Sequence, residues 1–466
     1  MNTQRKQLLP WYLLPAVWTL AWPTMLEELC ETAVQYVDTA MVGRLGTEAT
    51  AAVGATVTVN WMIGSTIHAL GIGFLAFISQ ALGAGREKDA RRAAGQSVLA
   101  VLTVGLFFTA LTVALSPFVP TWMQVDEPLR PTASRYFLIL YAPMLFRTAS
   151  ILFGTVLRAA GDTRTPMRVG LLMNAVNVAL NFFLIYPTRS VTLGKATFPV
   201  IGAGLGVTGA ALASAASIVT GGVLMTAALL KNPTVSPKGQ RIRPDKTVLL
   251  PCLKIAMPNA MQRFATSLGY VVFATLVNSL GTLATAAHTV ANTVESAFYV
   301  PGYGMQTAAA TLAGNAWGAK DMKRLGELPR MLLALEITLM VLSGGLLFLF
   351  APQLLSLFSK DPEVIALGSV VLRMVAVSEP FYGVSIIVEG MLQGLGKTGV
   401  PFIVNVIGMW GVRILLTFLL TRFFGGTLVT AWACMIGHNM LLFGVFSTYF
   451  SVLLRRWKRE KRPAAA

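Results

Sequence analysis

Charged residues are scarce. Asp, Glu, Lys and Arg make up 12% of the 466 residues, about half the ~25% of a soluble globular protein. Hydrophobic residues make up 55% and the mean hydropathy is +0.66. So little polar surface cannot cover a water-soluble body of this size. Cysteine is equally sparse. Cys30, Cys252 and Cys434 are odd in number and far apart, which excludes a disulfide scaffold. Disorder is excluded because disordered chains are poor in apolar residues. His68, His288 and His438 have no metal-ligand spacing. No HExxH, GxSxG or nucleotide-binding motif occurs, so neither an enzyme nor an ATP-driven pump is expected. The Gly-rich stretch 202–217 looks like a dinucleotide loop. It is read as close helix packing, because it follows no expected strand and lacks an acidic partner. What remains is an all-α, polytopic membrane protein.

A helix needs about 20 apolar residues to cross the bilayer core. Twelve such spans are expected, at 13–41, 50–80, 95–121, 133–157, 166–187, 203–230, 247–278, 284–313, 329–358, 364–393, 400–422 and 428–453. Arg5 and Lys6 before an apolar run resemble a signal peptide. No small-residue cleavage site follows, so the run is read as the first span. The net charge of +17 does not point to nucleic acid, because the basic residues cluster in alternate loops. With the N-terminus in the cytoplasm, 26 of the 37 Lys and Arg fall inside and 8 outside. Arg147, Arg263 and Arg413 lie within spans. The bias expects a multi-pass protein of the cell membrane with both termini cytoplasmic.

The two halves repeat at one offset of 235. Residues 37–60, VDTAMVGRLGTEATAAVGATVTVN, match 272–295, VFATLVNSLGTLATAAHTVANTVE, at eleven of 24 positions. The same offset pairs Pro23 with Pro258, Gly83 with Gly318, and Gly161, Thr163 and Pro166 with Gly396, Thr398 and Pro401. Six spans per repeat give both halves one orientation, so the expected relation is a pseudo-two-fold along the membrane normal. The expected division is a six-helix bundle at 1–230, a cytoplasmic linker at 231–246 and a second six-helix bundle at 247–466.

The first span carries Glu27, Glu28, Glu31 and Asp38. At 100° per residue these fall, with Thr24 and Gln35, within an arc of about 100°. Ionisable groups in a bilayer are costly and usually functional. Such a stripe suits a water-filled cavity, although individual acids could snorkel or pair with Arg147 or Arg413. Pro23 near its start is a candidate kink. In span five, Asn174, Asn177 and Asn181 share a face, suited either to holding a cation or to hydrogen bonding between helices. The equivalent face of span seven keeps polarity but loses all four acids and gains Arg263 and Tyr270. Glu295 shares a stripe with His288, Asn292 and Tyr299, and Glu379 and Glu389 lie on span ten. Any of these acids could neutralise Arg263. His288 is the best candidate for a pH-sensitive group.

Several segments together resemble the multidrug and toxic compound extrusion (MATE) transporters. They are VDTAMVGRLGTEATAAVG (37–54), SQALGAGREKDARRA (79–93), LRAAGDTRTPM (157–167), LGTLATAAHTVANT (280–293) and LQGLGKTGVPF (392–402). The resemblance covers nearly the whole chain. It implies export of small organic, often cationic and amphipathic, compounds driven by inward H⁺ or Na⁺, with no other cofactor. It singles out Asp38 as a first-half cation-binding acid, with Asn177, Asn181 and Glu31 beside it. Any metal would be a Na⁺ at Asp38, Asn177 and Asn181. Asn181 stands where some members have Asp, which weakens the Na⁺ reading. The second-half acids of the Na⁺-coupled branch appear here as Thr266 and Tyr382. The expected substrate cavity takes in Glu27, Glu28, Gln35, Asn174, Arg263, Tyr270, His288, Asn292 and Glu295. The lipid bilayer is the expected surrounding, and the working unit is expected to be a monomer. The alternative is a flippase of the same superfamily for a lipid-linked substrate, against which the acidic stripe argues.

Overall fold

The computed structural model describes residues 9–193, 196–240 and 242–460. Among the basic residues used for orientation, Arg5, Lys6, Lys195, Arg241, Lys461 and Arg462 lie outside the described residues. Twelve helical spans run in chain order: α1 (Leu14–Gly43), α2 (Thr47–Gly83), α3 (Glu87–Leu115), α4 (Arg130–Tyr141 and Met144–Ala159), α5 (Arg164–Leu184) and α6 (Gly206–Lys231). The second six are α7 (Lys246–Asn278), α8 (Thr282–Gly318), α9 (Met322–Leu349), α10 (Pro362–Gly394), α11 (Gly399–Phe423) and α12 (Leu428–Glu460). Among the described residues eight helices are long and apolar enough to cross a bilayer, nine with the bent pair of α4. The three long helices outside that set, α1, α7 and α8, carry most of the polar residues singled out above.

The expected spans miss the helix ends where sequence polarity misleads. α3 begins eight residues earlier than expected, through GREKDARRA, with Glu87 and Asp89 in its first turn against the helix dipole. α9 also starts early, where the Asp321 carboxylate accepts from the Arg324 N–H at 2.9 Å. Both end early because Pro120 and Pro352 start short separate helices, Val119–Trp122 and Ala351–Ser356. α4 bends by 44° at its break, where Pro143 precedes the second segment. α11 widens into a π-helical stretch over Ile407–Ile414.

One expectation fails outright. The Gly-rich stretch does follow a strand: β1 (Pro187–Leu193) and β2 (Ala196–Ala203) form an antiparallel hairpin before α6. The hairpin lies almost wholly in the expected loop between the spans at 166–187 and 203–230. The glycines still serve close packing. A Cβ on Gly209 would lie 2.4 Å from the Leu184 carbonyl oxygen, and beyond the stretch one on Gly222 would lie 2.5 Å from that of Phe146.

The repeat is visible in the backbone. Gly46 and Gly281 turn at φ +112° and +107°, and Gly161 and Gly396 at +86° and +74°. Gly85 at +72° corresponds to Lys320 at +55°, a non-glycine held in the left-handed region. Each pair is 235 apart, so three interhelix turns are built twice.

The chain forms two compact units. The first takes in the described residues of Met1–Glu28, Leu75–Arg86 and Pro251–Ala466, and the second Leu29–Phe74 and Glu87–Leu250. Within the first unit, the C-terminal ends of α2 and α8 meet reciprocally. A Cβ on Gly83 would lie 2.0 Å from the Asn315 oxygen, and one on Gly318 2.0 Å from the Gln80 oxygen. Gln80 and Asn315 are themselves 235 apart, so a local two-fold relates these ends. The core of this unit has two apolar clusters, one around Leu312, Leu332, Met391 and Phe446 and one around Phe273, Leu372, Trp432 and Met435. In the second unit, residues 233–234 and 243–245 are strapped to α3. Buried Gln96 donates to the Arg243 carbonyl at 2.8 Å and accepts from the Asp245 N–H at 3.0 Å. Arg91 donates to the Pro233 and Thr234 carbonyls.

Candidate transport and coupling site

In the second unit, the C-terminal part of α1 meets α5 and α6 at Asp38. Asn181 donates to Asp38 Oδ1 at 2.6 Å. With its amide orientation assigned from hydrogen-bond chemistry, Asn177 turns its nitrogen to Asp38, 2.8 Å from Oδ1, and accepts from the Ser214 hydroxyl at 3.1 Å, with the Asn181 amide nitrogen 3.0 Å away. The opposite orientation would set a carbonyl oxygen against a carboxylate, two acceptors with no proton between them. Asp38 is half-buried, and Asn177 and Asn181 are 5% and 1% exposed. Spacing of four brings both amides to one face of α5, as the sequence suggests. Below them lies an apolar cluster of Val42, Tyr136, Ile185, Ala210 and Ala211. One carboxylate, two carboxamides and a hydroxyl thus converge at an apolar floor. Two charge-assisted hydrogen bonds hold the carboxylate in place. Asn181 Oδ1 is buried with no hydrogen-bond partner.

The other expected residues are more dispersed. Gln35 and Glu31 are exposed, about one and two turns before Asp38 on α1. Asn174 is half-buried, one turn before Asn177. In the first unit, Glu27 and Glu28 are half-buried. Thr24, on the same arc, is taken up by packing: its hydroxyl donates to the Gly304 carbonyl of α8 at 2.8 Å. A Cβ on Gly304 would lie 2.5 Å from the Met25 nitrogen, so the glycine permits this approach.

The second-half residues form two further polar groups in the first unit. Glu389 of α10 accepts from Gln262 of α7 at 2.8 Å, Gln393 at 3.1 Å and Asn405 of α11 at 3.2 Å. Arg263 donates to Asn259 at 3.1 Å and lies within Coulombic reach of Glu389. Glu389 is therefore the acid, among those considered from sequence, beside Arg263. Thr266 is turned back onto the Gln262 carbonyl at 2.7 Å, and the Tyr382 and Tyr303 hydroxyls are 2.9 Å apart.

The other group centres on buried Arg413, in the π-helical stretch of α11. Its guanidinium lies 4.2 Å from the Phe273 ring centroid and 4.9 Å from that of Tyr270. Glu295, 5% exposed, is within its Coulombic reach. His288 Nδ1 accepts from Trp432 Nε1–H at 3.2 Å. Asn292 is exposed, so the stripe of His288, Asn292, Glu295 and Tyr299 is divided between surface and core.

Gln393, Asn405 and Tyr303 escaped the sequence reading, and so did two further polar residues. Ser214 sits in the small-residue run taken as packing. Glu336 is a lone acid in the apolar run of span nine, itself a signal that ionisable residues inside a span are costly.

Comparison with known proteins bears on the family and the fold. The probable multidrug resistance protein NorM of Thermotoga maritima is 28% identical over 417 residues, covering 90% of this chain and 88% of that protein. The probable multidrug resistance protein YoeA of Bacillus subtilis is 26% identical over 431 residues, 90% of each chain. The fold matches the crystal structure of MATE in complex with MaL6 at a TM-score of 0.87 and 21% identity, covering 95% of this chain and 97% of that one. The profile of the family described as MatE matches twice, over residues 23–183 and 258–419. The two matches begin 235 residues apart, the offset of the internal repeat, and the chain belongs to the MatE family.

Proposed function

We propose that the chain is a multidrug efflux antiporter that exports small organic, cationic and amphipathic compounds. Export is driven by inward flow of a coupling cation, H⁺ in preference to Na⁺, and Asp38 is the coupling acid. The names of the relatives support a multidrug transporter. The observation that carries the ion coupling is the Asp38–Asn177–Asn181–Ser214 network. Both amides offer Asp38 an N–H rather than an oxygen. That favours a carboxylate exchanging a proton over a cage of oxygens around Na⁺, which is a hard cation needing oxygen ligands.

Deprotonated, Asp38 attracts a cationic substrate and is held by two N–H donors. Proton binding neutralises it and weakens both hydrogen bonds. In a low-dielectric site the two states differ by several kcal/mol. A shift between opposed arrangements from 1:99 to 99:1 takes about 5.5 kcal/mol. One proton can therefore bias alternating access, with α1 bending near Pro23 as the moving element. The test is efflux of a fluorescent organic cation from proteoliposomes under an imposed pH or Na⁺ gradient. The pH gradient alone is expected to drive transport. Transport that follows only Na⁺ would sink the H⁺ reading, and transport with neither gradient would sink the antiporter.

A further inference from the structure

A second ionisable cluster lies within the first unit, where α8, α9 and α10 pack together. Glu336 of α9 is fully buried, and neither carboxyl oxygen has a hydrogen-bond partner. The carboxyl occupies a slot left by two missing side chains. A Cβ on Gly302 of α8 would lie 2.5 Å from Glu336 Oε1, and one on Gly383 of α10 3.0 Å from Glu336 Cγ. Met340, one turn along α9, closes the slot at 2.7 Å from both glycine Cβ positions. Glu379, one turn before Gly383 on α10, is 1% exposed, and its Oε2 also lacks a partner. It lies within Coulombic reach of both Glu336 and Glu295.

Charge counting defines what this cluster needs. Of the three carboxyls, Glu295, Glu336 and Glu379, Glu295 alone lies within Coulombic reach of a guanidinium, that of Arg413. Among the described residues, Arg263 of α7 is engaged by Asn259 and Glu389, and the remaining ionisable neighbours do not supply the missing positive charge. Tyr299, Tyr303 and Tyr382 are phenols. His288 accepts at Nδ1 from Trp432, and His438 of α12 is buried with neither ring nitrogen hydrogen-bonded. An unpaired, unsolvated carboxylate costs several kcal/mol in such surroundings. If Arg413 balances one acid, the other two each require a proton.

We propose that Glu336 and Glu379 form a second proton-binding site, built into the α8–α9–α10 contact and distinct from Asp38. Each proton adds to a carboxyl oxygen, and no other bond forms or breaks. The Gly302–Gly383 slot admits the neutral carboxyl and offers nothing to an ionised one. Glu379, within Coulombic reach of both Glu336 and Glu295, is the exchange partner for the Glu336 proton.

Infrared difference spectroscopy of the full-length protein in lipid tests this through the C=O stretch of protonated carboxyls. The wild type is expected to show that band at neutral pH, shifted by D₂O and lost reversibly on alkaline titration. Glu336→Gln and Glu379→Gln should each remove part of it, and Asp38→Asn should leave that part intact. The proposal therefore stands or falls independently of the Asp38 reading. If Glu336→Gln does not fold, Glu336→Met fills the same slot without polar atoms and reads the same band. A band unchanged by both Glu336 variants would mean that Glu336 is ionised, and would overturn the proposal. A band that never titrates would make the pair permanently neutral packing and would overturn it equally.

Discussion

Alanine at Gly83 or Gly318 tests whether the repeat is built as a local two-fold. Each new Cβ would stand 2.0 Å from a backbone oxygen of the facing helix. Ordinary carbon contacts need about 3.5 Å, so the α2 and α8 ends must part by roughly 1.5 Å at this point. Neither oxygen can rotate away, because each belongs to a helix backbone. Overpacking of this kind costs about 1–3 kcal/mol. The two variants should lower the apparent melting temperature by similar amounts, because Gly83 faces Asn315 as Gly318 faces Gln80. The double variant should lose less than the two single losses together, since the first substitution has already opened the contact. Gly345→Ala is the control: nothing lies within 4 Å of its Cβ position, and alanine favours a helix interior by up to ~1 kcal/mol. Melting followed by size-exclusion fluorescence in detergent gives the comparison. Full additivity, or a neutral Gly318→Ala beside a damaging Gly83→Ala, would refute the reciprocal contact.

Two further predictions concern the strap between the repeats. Gln96→Ala removes both bonds to residues 243 and 245 and is expected to cost about 1–3 kcal/mol; faster proteolysis within 231–246 would register it, and an unchanged cleavage rate would count against the strap. Asp245 caps the start of α7, its Oδ1 accepting the Thr247 hydroxyl at 2.6 Å and the Thr247 N–H at 2.9 Å. Those bonds hold its carboxyl below the ordinary carboxylate range. The cap's contribution is therefore present above the unfolded pKa and lost as pH falls through the lower folded one, so hydrogen exchange at the first turn of α7 should quicken only in strong acid. Quickening already at mildly acidic pH would contradict the capping geometry.

Much of this architecture is legible in the sequence because bilayer physics is a strong filter. Every expected span overlaps a helix, and the offset of 235 reappears in backbone φ and in reciprocal glycines. Asp38, Asn177 and Asn181 are legible because helical spacing puts the two amides on one face and because polar groups inside spans are rare. The misses have local causes. The first turns of α3 and α9 are polar, so hydropathy does not register them, whereas acidic residues at the start of α3 and the Asp321 cap of α9 favour them. The hairpin at 187–203 falls in the loop left between two expected spans, where a search for apolar runs long enough to cross a bilayer does not register short strands. Ser214 is hidden among alanines, and its role depends on which face of α6 meets α5. Glu336 stands alone in its span, and its Gly302–Gly383 slot comes from helices distant in sequence.

Asp38→Asn tests the central claim most directly. The variant keeps the shape of the side chain and an oxygen for Asn181 and Asn177, but cannot change charge. In proteoliposomes the variant should stay folded and bind the fluorescent cation more weakly, while uphill efflux under a pH gradient falls to background. Uphill efflux at the wild-type rate would contradict the account, and would move the search for the coupling acid to Glu31 or Glu295.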